Sequence, residues 1–94
     1  MRKRSKAREY ALQMLYQADL KQCPPAELIP EFWEANPSPE EVRQFAEALV
    51  RGTIEHLKEI DPLLTKHASN WTLKRMGVVD RNVLRLGVFE LLHL

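Results

Sequence analysis

Residues 83–94 read VLRLGVFELLHL, and this stretch decides the fold. Apolar side chains occupy nearly every side of it at helical spacing, and a helix apolar all round belongs among other helices. Arg85 and Glu90 interrupt the pattern at i, i+5, a spacing that pairs them poorly with each other. Just upstream, Asp80 reads as the N-cap of this helix, with Val79 and Leu84 placed for a hydrophobic staple. The stretch stops at Leu94 without a cap, a glycine or a polar tail. The expectation is a domain cut short. Its last helix then keeps apolar side chains in water and seeks a partner, in the simplest case a second copy in a homo-oligomer.

Working outward, Gly77 closes a short turn that Thr72 caps and that runs through Met76. Asp61-Pro62 predicts a helix start, cap followed by proline at the first helical position, continued by Leu63, Leu64, His67, Ala68 and Trp71. Ser38-Pro39-Glu40-Glu41 has the form of a capping box. The helix it opens carries Val42, Phe45, Ala46, Leu49, Val50, Thr53, Ile54 and Leu57 on one stripe. Gly52 sits inside that stripe at a cost of roughly 1 kcal/mol relative to alanine, which predicts a close helix crossing there. Residues 36–39, NPSP, form a loop. Ala26 to Trp33 predicts a short helix, broken or kinked at Pro30, whose Leu28, Ile29, Phe32 and Trp33 lie on the core as a lid.

The first helix runs from about 5 to 20, with Ser5 as N-cap and Pro24-Pro25 as its stop. Its apolar stripe is Ala7, Tyr10, Ala11, Met14, Leu15 and Ala18. Leu12, Tyr16 and Leu20 form a second row, which puts Tyr16 at the edge of the buried face with its hydroxyl wet. The sum is an all-α chain with one domain over 1–94: a basic arm and helix over 1–22, and core helices over 38–94.

The net charge of +1 hides an asymmetry. Arg2, Lys3, Arg4, Lys6 and Arg8 put five cations into the first eight residues with no acid among them, while the remaining 86 residues carry a net −4. A basic arm on an acidic body suggests a polyanion site at the N-terminus; a solvated, disordered leader is the plainer reading of the same run. Arg4 and Arg8 share one side of the helix, Lys6 and Arg2 extend the patch, and Tyr16 follows eight residues after Arg8. Cations that hold phosphates next to a ring that stacks an unpaired base suit single-stranded RNA, and an ordinary boundary tyrosine is the alternative for Tyr16.

Other chemistries find little support. No apolar run approaches the roughly 20 residues of a membrane span, and no secretory leader is visible. Glu9 and Asp19 argue against a mitochondrial presequence. Cys23 is the single cysteine, which precludes an internal disulfide and points to a reducing cytoplasm. The three glycines are isolated, so no phosphate loop forms. Cys23, His56, His67 and His93 lack metal-ligand spacing, and no nucleophile–base pair or cofactor site can be proposed.

Three segments together resemble the NusB family of bacterial transcription antitermination factors: RKRSKAREYALQMLYQADL at 2–20, FAEALVRGTIEHLKEIDPLL at 45–64, and NWTLKRMGVVDRNVLRLGVFEL at 70–91. The last is the most specific, with Trp-Thr-Leu, a basic turn, and Val-Asp-Arg running into the central helix. The resemblance implies an all-helical, NusB-like bundle, C-terminally truncated, and a non-enzymatic protein without cofactor. It implies binding to boxA-type leader RNA of ribosomal transcripts, together with ribosomal protein NusE, within the RNA polymerase antitermination complex. It carries the family's basic start onto Arg2, Lys3, Arg4, Lys6 and Arg8, its RNA-contacting tyrosine onto Tyr16, and a NusE-contact position onto Asp80. The family's later Asn-Glu-Ala and Phe-Val-Asn-Gly helices have no counterpart in these 94 residues. Two other readings remain: a NusB-like RNA-recruitment domain of an rRNA methyltransferase, and a helical protein-interaction module without RNA.

Overall fold

The computed structural model describes residues 2–67 and 77–94, with the side chains of Arg2 and His67 excepted. The expected Thr72–Met76 turn, Ala68 and Trp71 lie outside the described residues. Helix α1 spans Arg2–Lys21, a single 3₁₀ turn spans Pro25–Glu27, and α2 spans Ile29–Ala35. Helix α3 spans Glu40–Glu55, α4 Leu57–His67 and α5 Val78–His93. Among the described residues there is no strand, as the all-α expectation requires.

Helix α1 packs chiefly on α3. Ala7, Ala11, Met14, Leu15 and Ala18 are buried, so the expected stripe is the real one, and its alanines let α3 approach with Ala46, Leu49 and Val50. The helix begins at Arg2 and not at Ser5, because the basic segment is held onto α3: Lys3 Nζ lies 2.8 Å from Glu41 Oε2, and the Arg4 guanidinium lies 5.3 Å from the Phe45 ring centre. The basic run is therefore helical, not a disordered leader. At its other end the Cys23 amide donates to the Ala18 carbonyl and the Gln22 amide to the Asp19 carbonyl, a Schellman closure with Gln22 in the left-handed region at φ 56°. The lid is present: Phe32 and Trp33 are buried and meet each other and Tyr10 edge-to-face at 5.2–5.5 Å. Pro30 sits in the first turn of α2 and does not kink it, since the break falls before it, at Leu28.

Three expected caps are replaced by other partners. Ser38 Oγ donates to the Asn36 carbonyl at 3.1 Å, Glu41 turns to Lys3, and Pro39 is itself the N-cap of α3, so no capping box forms. Asp61-Pro62 lies inside α4, which already starts behind the His56 carbonyl; that oxygen accepts the Glu59 and Ile60 amides at 3.0 and 2.9 Å. Asp80 does not cap α5, whose N-cap is Gly77, with no side-chain hydrogen bond. Asp80 instead sits in the first turn, where its charge still suits the helix dipole. With the helix beginning at Val78, Val79 and Leu84 no longer flank a cap, and both stay exposed.

Helix α5 touches α1, α3 and α4. Asn82, Leu86 and Phe89 face inward, while Leu84, Leu91 and Leu92 remain exposed, leaving open the face on which self-association is expected. Its register is held by charge. Asp19 of α1 accepts two bonds from Arg81, Nε to Oδ2 at 2.6 Å and Nη2 to Oδ1 at 2.8 Å. Asn82 Nδ2 adds a third at 2.8 Å, and Arg85 Nη1 approaches at 3.4 Å. Arg85 is in turn bidentate to Asp61 of α4, at 2.8 and 2.9 Å. The Asp19 side chain is only 14% exposed. The Arg81 hydrogen bonds hold its carboxyl below the ordinary 3.8; burial opposes that shift, and Asn82 and the nearby arginine charges add to it.

Two predictions follow from these contacts. A Cβ at Gly52 would collide with the ring of Phe89, itself buried, so Gly52→Ala should lose about 1–3 kcal/mol in urea unfolding despite alanine's higher helix propensity. An unchanged or raised stability would show that the two helices cross more loosely. Asp19→Asn should cost about 3 kcal/mol at neutral pH, since it leaves two partly buried arginines short of a counter-charge. Because the folded carboxyl is the more acidic one, its stabilisation is full above about pH 4 and is lost as pH falls through the lowered value. The gap between parent and variant should therefore narrow in acid, and a gap independent of pH would refute the ionic account.

Candidate nucleic-acid interface

Helices α1 and α5 run antiparallel. Arg8 meets Glu90 at one end of the pair, Nε to Oε2 at 2.7 Å, and Asp19 meets Arg81 at the other. A shallow groove runs along the pair from the Arg8 tie to the first turn of α5. One half is lined by Arg8, Leu12, Val83, Leu86, Gly87 and Glu90, the other by Leu12, Gln13, Tyr16, Gln17 and Val79. Leu12 belongs to both halves, so they join into one channel. Gly87 leaves the wall open, since a Cβ there would meet nothing within 4 Å. The channel has an apolar floor, a guanidinium at one end and a half-buried phenol at the other. Eight helical residues separate Arg8 from Tyr16, a rise of about 12 Å.

The sequence-predicted site residues fall into three places. Arg8 and Tyr16 line the groove itself. Lys3 and Arg4 sit beyond its Arg8 end, toward α3, through Glu41 and Phe45. Lys6 lies about 200° around the helix from Arg8 and pairs with Glu9 at 3.4 Å, its ammonium 5.0 Å from the Tyr10 ring centre. The cations thus surround the start of α1 instead of forming one stripe with Lys6. Arg2 begins the helix. Asp80 is exposed next to Val79, at the Tyr16 end, so the expected RNA and partner positions are neighbours there.

The pairs made by these cations are surface pairs. Lys3 is 64% exposed and Glu41 72%; each shifts the other, the Lys3 ammonium upward and the Glu41 carboxyl downward through their shared hydrogen bond. Such pairs contribute little and exchange readily for a phosphate. Arg8 is the better-held cation, because its partner Glu90 is mostly covered. The role of Glu90 escapes sequence reasoning: 82 positions separate the two, and no local spacing announces the contact. Outside the groove, the fold also gathers His56, Glu59 and His93, whose positions along the sequence give no metal-ligand spacing.

The NusB family profile matches residues 5–94. The transcription antitermination protein NusB of Anaeromyxobacter dehalogenans is 46% identical over 92 residues, covering 97% of this chain and 65% of that protein. The NusB protein of Myxococcus xanthus is 45% identical, covering 94% of this chain and 66% of its own length. The chain thus spans about two thirds of these relatives. Among solved structures, a crystal structure of antitermination factors NusB and NusE in complex with dsRNA matches with a TM-score of 0.88 at 40% identity, over 98% of this chain and 68% of that one. The solution structure of NusB from Aquifex aeolicus matches with a TM-score of 0.83 at 40% identity, over 98% and 63%. Profile, sequence and backbone agree in order and over nearly every residue: this chain belongs to the NusB family.

Proposed function

We propose that this chain is the RNA-binding part of a transcription antitermination factor. It takes boxA-type leader RNA of ribosomal transcripts and acts with ribosomal protein NusE in the RNA polymerase antitermination complex, in the cytoplasm and without catalysis. The observation that carries the reading is the α1–α5 groove, with Arg8 at one end and Tyr16 at the other. Its length matches two nucleotides of an extended strand in order of magnitude, a phosphate on Arg8 and a base on Tyr16. Lys3, Arg4, Lys6 and Arg2 surround the entry to the groove and draw in the backbone. Asp80, exposed beside the Tyr16 end, is the position proposed for the NusE contact. The likeness to a NusB chain solved with NusE and dsRNA supports both partners. The relatives' name as antitermination proteins favours a free factor over the recruitment domain of an rRNA methyltransferase. A protein-interaction module without RNA would bind with little dependence on salt.

Filter binding of a boxA-type single strand, alongside the same sequence as a duplex, tests the proposal. Arg4→Glu with Arg8→Glu should weaken the single strand at least tenfold and flatten the logarithmic salt dependence by about one to two. Tyr16→Ala should cost about 1–3 kcal/mol of binding and Tyr16→Phe far less, since the ring stacks and the hydroxyl does not. Equal affinity of parent and charge-reversed chain would remove RNA from the account. Normal binding by both Tyr16 variants would make Tyr16 a boundary residue only, and tighter binding of the duplex would replace stacking by backbone recognition.

A further inference from the structure

Outside the groove, three ligand-type side chains converge from three elements distant in sequence. His56 closes the C-terminus of α3, Glu59 stands in the first turn of α4, and His93 in the last turn of α5. One ligand atom of each lies within 4.8 Å of the others. His93 Nε2 and Glu59 Oε2 are 3.3 Å apart, and the His56 and His93 rings lie against each other at a 33° tilt with centres 3.9 Å apart. We propose that these three side chains form a divalent transition-metal site of the zinc class, a use of the fold independent of RNA binding.

Three features carry the assignment. The first is the tautomer of His56. Its Nδ1 lies 2.7 Å from the Gly52 carbonyl oxygen, which can only accept, so Nδ1 carries a hydrogen and the neutral ring offers the Nε2 lone pair to a metal. A backbone carbonyl on the far ring nitrogen is the usual outer support of a metal-bound histidine. The second is spacing. Tetrahedral zinc with bonds of about 2.0–2.1 Å holds its ligand atoms about 3.3–3.4 Å apart, the separation His93 and Glu59 already show. The 4.8 Å span of the whole group would close by side-chain rotation, with Glu59 and His93 at exposed positions. The third is composition: two imidazoles and one carboxylate are a borderline-soft set that suits zinc, cobalt or nickel and does not suit magnesium or calcium. Phe89 lies beside both histidines at 5.5–5.6 Å and walls one side, while Glu59, about half exposed, leaves the fourth position to water. An ion there would tie the α3–α4 corner to the end of α5 and stabilise the fold by mass action.

The alternative for the same atoms is a plain His93–Glu59 ion pair, and the test separates the two. The untagged chain, stripped with chelator, is titrated with Zn²⁺ by calorimetry and with Co²⁺ by visible absorption. Expected are one ion per chain, tetrahedral cobalt bands, and a melting temperature that rises with zinc. His56→Ala lies outside the ion pair and should weaken uptake at least tenfold, as should His93→Gln. Glu59→Gln, isosteric and exposed, guards against a folding artefact and should also weaken it. Circular dichroism of each variant without metal confirms the helices. No uptake by the parent overturns the proposal, as does uptake unchanged in folded His56→Ala and His93→Gln.

Discussion

The carboxylate of Asp19 is the constraint on which the rest of the molecule depends. Burial of apolar surface drives α5 into the bundle, yet it is non-directional and would accept that helix in several rotations and offsets. Bidentate guanidinium–carboxylate pairs are directional. Asp19 takes Arg81 in this way from α1, and Asp61 takes Arg85 from α4, so two arginines one turn apart on α5 are each matched to a different helix. Asn82, between them in sequence, bonds both Asp19 and the Val78 carbonyl. The two charges of each sign balance within a mostly covered cluster. Its members lie where three helices meet, so a slip of any one helix would strand a charge in poor solvent.

That register makes the groove. With Asp19 on Arg81 at one end, the antiparallel run of α1 and α5 brings Arg8 to Glu90 at the other, and sets Tyr16 beside Val79 near the Asp19 end. Gly52 sets the depth of the same arrangement from the opposite side, because the Phe89 ring occupies the space a side chain would need. The cations at the start of α1 are fastened only by exposed pairs, which would suit the proposed exchange of carboxylates for RNA phosphates.

Much of this was legible in the chain. The apolar stripe of α1, the stripe of α3 from Val42 to Thr53, the close crossing at Gly52 and the lid of Phe32 and Trp33 all follow from periodicity and from one misplaced glycine, and all stand in the structure; Ile54, expected on the same stripe, is exposed, and Leu57 belongs to α4. Helix starts were not legible. Ser5, Ser38, Asp61 and Asp80 have the right local chemistry for caps, but a cap competes with every tertiary partner within reach. Arg85 claims Asp61, Lys3 claims Glu41, and contacts to α3 extend α1 past Ser5. In the site, Arg8 and Tyr16 could be singled out as a cation and a ring on one helix. The groove that joins them could not, because its other wall comes from residues some seventy positions later. The Asp19 cluster and the His56–Glu59–His93 group were hidden for the same reason: pairing across the bundle leaves no mark in local spacing.

The central claim is that RNA lies along α1 and α5 between Arg8 and Asp80. Amide chemical-shift mapping of the ¹⁵N-labelled chain, titrated with a boxA-type single strand, tests it most directly. The account predicts that the largest changes run from Lys3 to Gln17 and over Val79, Val83 and Gly87, while the lid helix α2 and the buried face of α3 stay still. Changes centred on α2 or on the exposed side of α3, with the α1–α5 amides unmoved, would contradict it.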